Sequence, residues 1–294
     1  MKRFRFKKID AFTGDRSPGN PAGCVWLGGP DDITAEEMQE IARQLKGFVS
    51  EVAYVCPEGD GYFLRYWSSE REVEFCGHAT IAAMYDLLHG DSAATFRAEV
   101  PIRAGGSSLT VYDGGEAGVF ITAPQAEVLP AAPRADAVLK PLFLAALDLD
   151  DCFPISLVKC GLAALLVPMR RASMLTDVAP NQEELALFCE KHGADIVVLY
   201  TDDRILPGTR YRTRVFAPRF GYLEDPATGS GNAALGSWLL REGHWDGSPI
   251  AIEQGRSYRA PNIVRLMTRE MDGRKRVLFG GRATVRIDGW YQLQ

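Results

Sequence analysis

The order of elements is written twice along this chain, and that duplication limits its fold more than any other feature. Thr34-Ala-Glu-Glu37 has the spacing of a capping box, in which a Thr hydroxyl and a Glu carboxylate each satisfy an N–H of the helix start. It opens an apolar-periodic run that stops at Gly47, and a strand pattern follows at 51–56. Far downstream, Asn181-Gln-Glu-Glu opens a second such helix that stops at Gly193 and runs into a strand pattern at 195–200. Each strand leads to an Arg beside aromatics, Arg65-Tyr-Trp67 and then Arg214-Val-Phe216. Each of these segments leads to a glycine turn and a mostly apolar helix, at 77–88 and at 229–240.

Helices apolar nearly all round belong inside a structure rather than on its surface. The pattern therefore predicts a mixed α/β (α+β) fold of two pseudo-symmetric halves, each a curved, mostly antiparallel sheet or barrel around a central helix. The first half is expected over 1–125, with strand patterns at 277–294 returning to it, and the second over 142–276. Further strands are expected at 157–167 and 251–253. The Pro- and Ala-rich stretch 124–141 reads as the crossing between halves. A shared site is expected in the cleft between the halves, because pockets favour such boundaries.

With 294 residues the chain has room for one large domain or two ordinary ones. It should bury roughly three quarters of its unfolded surface without needing staples. A net charge of −5 argues against a nucleic-acid partner, whose binding relies on basic surface. The cluster Lys2, Arg3, Arg5, Lys7 and Lys8 has two readings, the front of a targeting peptide or the wet face of a strand. No long apolar stretch follows it, Asp10 and Asp15 come early, and Phe4, Phe6 and Ile9 fit the strand. Apolar runs such as 161–169 fall far short of the ~20 residues that cross a bilayer. The expectation is a cytoplasmic protein with no membrane partner. Six cysteines are scattered without a C-x-x-C pair, which predicts neither a metal site nor a disulfide framework. The default for each is a buried, inert thiol, with Cys76 the exception to weigh.

Four clusters could carry chemistry. Ser17-Pro-Gly-Asn-Pro-Ala-Gly23 contains Asn20 and is, on its own, an ordinary turn. Ser50-Glu51 sits where a helix–Gly–strand turn delivers a carboxylate. Most such groups are solvated, but one held in a drier cleft has its pKa raised, as an acid/base acting on carbon requires. Glu72-Val-Glu-Phe-Cys-Gly-His-Ala-Thr80 and Glu224-Asp-Pro-Ala-Thr-Gly-Ser-Gly-Asn232 each put small residues at a helix mouth. Free backbone N–H groups there suit a carboxylate or phosphate, which predicts a small anionic substrate. The plainer reading is capping by Thr80, Ser230 or Asn232.

These motifs, with Asp10-Ala-Phe-Thr13, Gly19-Asn-Pro-Ala22 and Gln254-Gly255, resemble the PhzF family of isomerases within the diaminopimelate-epimerase-like superfamily. They span nearly the whole chain in the expected order. The resemblance implies that two-half fold, a homodimer, and catalysis without cofactor or metal. It implies Glu51 as the group that moves a proton between substrate carbons, with His78 and Asp225 as catalytic partners. Ser230 matches the family's supporting serine, and Asn20, Gly77, Gly229, Ser230 and Gly231 are expected to bind the substrate. Two positions depart from the pattern: Val52 stands where the family usually has Thr after Ser-Glu, and Ser69 replaces a frequent proline.

Racemases of the wider superfamily use two opposed cysteines. Cys76 matches the first, but the second position is Thr228, whose hydroxyl is far too weak an acid to swap protons across a carbon. The reading is therefore an isomerase with a Glu acid/base. The alternatives are an epimerase or racemase of an amino-acid-like substrate, and a non-catalytic binding protein on the same fold. Retention of Glu51, His78, Asp225 and Ser230 together speaks against the last.

Overall fold

The structure is a computed structural model that describes residues 1–90, 98–130 and 132–294. These divide into two compact units, Met1–Thr122 with Gly280–Gln294, and Ala123–Phe279.

The first unit begins with β1 (Lys2–Ala11), β2 (Asn20–Trp26), α1 (Ala35–Gln44), β3 (Glu51–Glu58), β4 (Gly61–Ser68) and the two-residue β5 (Glu72–Val73). Then come α2 (Gly77–His89), β6 (Glu99–Ala104), β7 (Ser107–Asp113) and β8 (Val119–Thr122). β2 pairs antiparallel with β1 and parallel with β3. β4 is antiparallel to β3 and β5 but parallel to β6, and β7 is antiparallel to β6 and β8. The capping box forms as its spacing predicts: Thr34 accepts from Glu37 N, and the Glu37 carboxylate accepts from Thr34 N at 2.9 Å. Helix α1 ends at Gln44, ahead of Gly47, whose φ of +82° suits a residue without a Cβ.

The second unit holds β9 (Glu127–Leu129), α3 (Ala135–Leu142), β10 (Ser156–Cys160), β11 (Leu162–Pro168) and α4 (Ala172–Asp177). It continues with α5 (Gln182–His192), β12 (Ile196–Thr201), β13 (Tyr211–Phe216), β14 (Glu224–Asp225), α6 (Gly229–Arg241), β15 (Ile250–Gln254) and β16 (Asn262–Met271). The boundary with the first unit falls inside β17 (Arg274–Gly281), and β18 (Ala283–Leu293) pairs antiparallel with β1.

The pairings of the second unit reproduce those of the first. β11 is antiparallel to β10 and parallel to β12. β13 is antiparallel to β12 and β14 and parallel to β15, which is antiparallel to β16. This is the mixed α/β fold expected from the repeated order. Each unit packs its sheet on a central helix, α2 against β1, β2, β3, β8 and β18, and α6 against β10, β11, β12 and β16.

Two details differ from the sequence reading. The apolar run 157–167 is not one strand: Gly161, with a φ of +78°, turns it into the β10–β11 hairpin. The stretch 124–141 is not a bare crossing either. It forms β9, which pairs with β10, and most of α3, whose Val138, Pro141 and Leu142 are buried; residue 131 lies outside the described residues. Pro141 sits in the last turn of α3, where Phe143 and its positive φ already end the helix.

A second helical layer covers the other sheet face. Met38, Ile41 and Ala42 of α1 are buried at i, i+3, i+4 spacing, in a cluster with Phe6, Val25, Val52, Tyr54 and Trp67. In the second unit Val138 and Leu142 of α3, with Leu185 and Cys189 of α5, pack on Leu165, Val197, Leu199 and Phe216. β3 and β12 are therefore covered on both faces, which explains their near-continuous apolar runs. Among the described residues no helix is long and apolar enough to cross a membrane.

Candidate active site

Strand alternation delivers the acid. Val52, Tyr54 and Cys56 point into the α1 cluster, so Glu51, Ala53 and Val55 share the face that meets α2. At the mouth of α2, where Cys76 is the N-cap residue, Glu51 Oε2 lies 3.3 Å from His78 Nε2. Cys76 Sγ stands 3.4 Å from His78 Nδ1 and 3.9 Å from Glu51 Oε2. The Glu51 and His78 side chains are 16% and 12% exposed, enough to reach a small ligand and little enough to be sheltered from bulk water. Burial pushes the His78 pKa down from 6.5 to about 4, opposed in part by a hydrogen bond to the Pro21 carbonyl, so the ring is neutral at pH 7. Metal-type donor atoms of Glu51, Cys76 and His78 all lie within 4.8 Å of one another.

The Gly-Asn-Pro-Ala turn reaches the same place. Gly19 has a φ of +75°, and a Cβ there would sit 2.7 Å from Asp10 Cβ, so glycine is required. Asn20 opens β2 almost fully buried, and two residues on Ala22 pairs with Glu51. Asp10 is held by ion pairs with Lys8 and Arg286. The first unit thus gathers Glu51, Gly77 and His78 about one helix mouth, with the Pro21 carbonyl of this turn against His78.

The second unit gathers Asp225, Gly229, Ser230 and Gly231 about the mouth of α6, where Thr228 is the N-cap residue. The Thr228 hydroxyl donates to Asp225 Oδ2 at 2.5 Å. Gln254 ties the group together: Oε1 accepts from Thr228 N and Asn232 Nδ2, while Nε2 donates to the Asp225 carbonyl. The sequence marks Gln254-Gly255 as a motif without a role; folding shows Gln254 to be the clamp on the Asp225 turn.

Thr80 and Asn232 do not cap the first-turn N–H groups. The Thr80 hydroxyl donates to the Cys76 carbonyl and Asn232 Nδ2 to the Thr228 carbonyl, one turn back in each helix. Neither N-cap side chain makes a capping bond. The glycines of α6 also have a packing reason: a Cβ on Gly229 would lie 2.2 Å from the Phe279 ring, and one on Gly231 3.2 Å from Ile196.

The repeated Arg fixes each turn. Arg65 forks onto Glu72 through 2.6 and 2.9 Å bonds, and Arg214 onto Glu224 through 2.9 and 2.8 Å bonds. The chemistry is not repeated. Tyr54 pairs with Arg65 and Leu199 with Arg214, and three residues back from each stand Glu51 and Ile196.

The family model for phenazine biosynthesis-like proteins, PhzC-PhzF, matches residues 9–289. The chain belongs to this PhzC-PhzF family. It is a family of isomerase-type enzymes. The chain is 27% identical over 290 residues to the uncharacterized isomerase YfhB of Bacillus subtilis, covering 96% of this chain and 97% of that one. It is 28% identical over 264 residues to trans-2,3-dihydro-3-hydroxyanthranilate isomerase of Pseudomonas chlororaphis, covering 87% of each. The crystal structure of a PhzF-family phenazine biosynthesis protein from Bacillus anthracis superposes with a TM-score of 0.88 at 23% identity, over the whole of both chains. The matched span includes Ser50-Glu51, 72–80 and 224–230, the segments that build the two helix mouths.

Proposed function

We propose that this PhzC-PhzF member is a cofactor-independent isomerase in which Glu51 moves a proton between carbons of a small carboxylate-bearing substrate. The observation that carries the reading is the sheltered contact of Glu51 with a neutral His78, present in one unit and replaced by Ile196 in the other. A one-base proton shift needs a single acid/base that can take a proton from one carbon and return it to another. Glu51 as carboxylate takes the proton, and as carboxylic acid returns it. His78 packs against it and, being neutral, does not compete as a cation. The N–H groups at the mouth of α2, beside Glu51, offer donors to an anionic group.

A two-thiol racemase is disfavoured because Thr228 fills the second cysteine position and its hydroxyl is committed to Asp225. The name of the Pseudomonas chlororaphis relative points to a ring carboxylate as a substrate to try first.

The test is proton exchange. The protein is incubated in deuterated water with trans-2,3-dihydro-3-hydroxyanthranilate and a panel of small unsaturated carboxylates. Deuterium entering a C–H bond with wild type but not with Glu51→Gln is the expected result. Label entering equally with the variant overturns the glutamate mechanism, and tight binding without any label makes the protein a binder.

A further inference from the structure

The spacing of the sequence hides a cluster that folding assembles. Glu51 is 25 positions from Cys76, and Cys76 is two positions from His78, so no metal-binding spacing is visible along the chain. In space the three bring a carboxylate oxygen, a thiol sulfur and an imidazole nitrogen to one point at the mouth of α2. We propose that Glu51, Cys76 and His78 bind a zinc-type divalent cation, and that its binding shuts off proton transfer at this site.

The donor set is that of zinc, which takes Cys, His and carboxylate together. At ordinary zinc bond lengths two ligands of a tetrahedral ion stand about 3.4–3.6 Å apart. The separations are 3.3 Å between Glu51 Oε2 and His78 Nε2, 3.9 Å from Glu51 Oε2 to Cys76 Sγ, and 4.0 Å from Cys76 Sγ to His78 Nε2. Glu51 and His78 Nε2 already stand at ligand spacing, whereas Cys76 Sγ, nearer Nδ1 than Nε2, must swing by about 1.5 Å on its side-chain torsion to close the set. The acceptor carbonyl of Pro21 against the imidazole supplies the kind of contact that commonly orients a ligating histidine. Three protein ligands leave a fourth position for water or a substrate carboxylate. As the metal–sulfur bond forms, the Cys76 thiol releases its proton to solvent, while Glu51 and His78 contribute lone pairs.

The binding stands on this geometry alone. The inhibition rests on the role proposed for Glu51, because the lone pair that holds the metal is the one that would accept the substrate's proton. The cation is thus a stopper rather than a helper.

The test uses metal-free wild-type protein titrated with Zn²⁺ by calorimetry and with Co²⁺ by absorption. One equivalent should bind, with a thiolate-to-cobalt band in the near ultraviolet and visible bands of four-coordinate intensity. Cys76→Ser should abolish the near-ultraviolet band, and Glu51→Gln and His78→Asn should each weaken binding at least about tenfold. Cys152→Ser, at an exposed thiol, should change nothing.

No saturable binding, a band that survives Cys76→Ser, or full affinity in both Glu51→Gln and His78→Asn overturns the site. Should the variants fail to fold, alkylation of wild-type Cys76, followed by peptide mass spectrometry, decides. Zn²⁺ should slow it, and an unchanged rate overturns the site. None of these readouts needs a substrate. Deuterium exchange that persists in zinc-saturated protein would overturn the inhibition while leaving the binding intact, so the two failures are distinguishable.

Discussion

Ile196 holds in the second unit the register position that Glu51 holds in the first. Both lie three residues before the strand residue that pairs with the turn-clamping Arg, and both face the central helix of their unit. At this position the duplicated scaffold therefore carries a carboxylate in one unit only, and the consequences can be measured.

Glu51→Gln keeps the side chain's size and hydrogen-bonding reach but removes its titration. Turnover on any substrate found by deuterium exchange should fall by about 10²–10⁴, with ligand affinity little changed. A loss confined to KM would assign Glu51 to binding alone.

Cys76→Ser should reduce turnover far less than Glu51→Gln, because the partner position is Thr228, whose hydroxyl donates to Asp225. Steady-state kinetics of both variants side by side decide it. Exchange abolished by Cys76→Ser and retained by Glu51→Gln would make a thiol-based epimerase the better reading.

The buried His78 predicts a stability change with a definite sign. Its folded-state pKa, near 4, lies below the unfolded value near 6.5, so between these pH values the unfolded chain binds the extra proton. Stability should fall as pH drops from about 6.5 toward 4, and this contribution should vanish in His78→Asn. Thermal melts of both proteins across that window test it; parallel losses would mean that His78 titrates normally.

Arg212 and Glu253 form an ion pair with both side chains fully buried. Glu253 Oε1 also accepts from Ile205 N, Leu206 N and the Thr209 hydroxyl, tying that loop to the sheet edge. Glu253→Gln keeps most of these bonds but leaves the guanidinium charge uncompensated. Unfolding in urea should show a loss of about 3–5 kcal/mol. A loss below about 1 kcal/mol would mean that water reaches the pair.

Gly229→Ala would drive a Cβ into the Phe279 ring, which is buried under the start of α6. The expected loss is about 1–3 kcal/mol in the same urea experiment. An unchanged midpoint would mean that the helix start can shift, leaving Gly229 without a packing reason.

Much of this was legible in the residues because its physics is local. The capping box at Thr34, the Asn181 cap and the Gly193 stop follow from hydrogen bonds within one helical turn. The repeated order of elements followed from periodicity, and the two central helices from apolar residues on every side. The motifs at Glu51, His78, Asp225 and Ser230 carried the family resemblance. What spacing could not give was decided by pairing and packing. The Gly161 hairpin and the β9–β10 pairing depend on partners distant in sequence, so 157–167 read as one strand and 124–141 as a crossing. The role of Gln254 required its side chain to reach Thr228 and Asn232 across more than 20 positions. The Glu51–Cys76–His78 cluster exists because the register of β3 turns Glu51 toward α2, and a shift of one residue would point it at α1 instead. Residue types and short-range order were set by the sequence itself, whereas which groups meet was set by strand register and helix packing, which act between segments far apart in the chain.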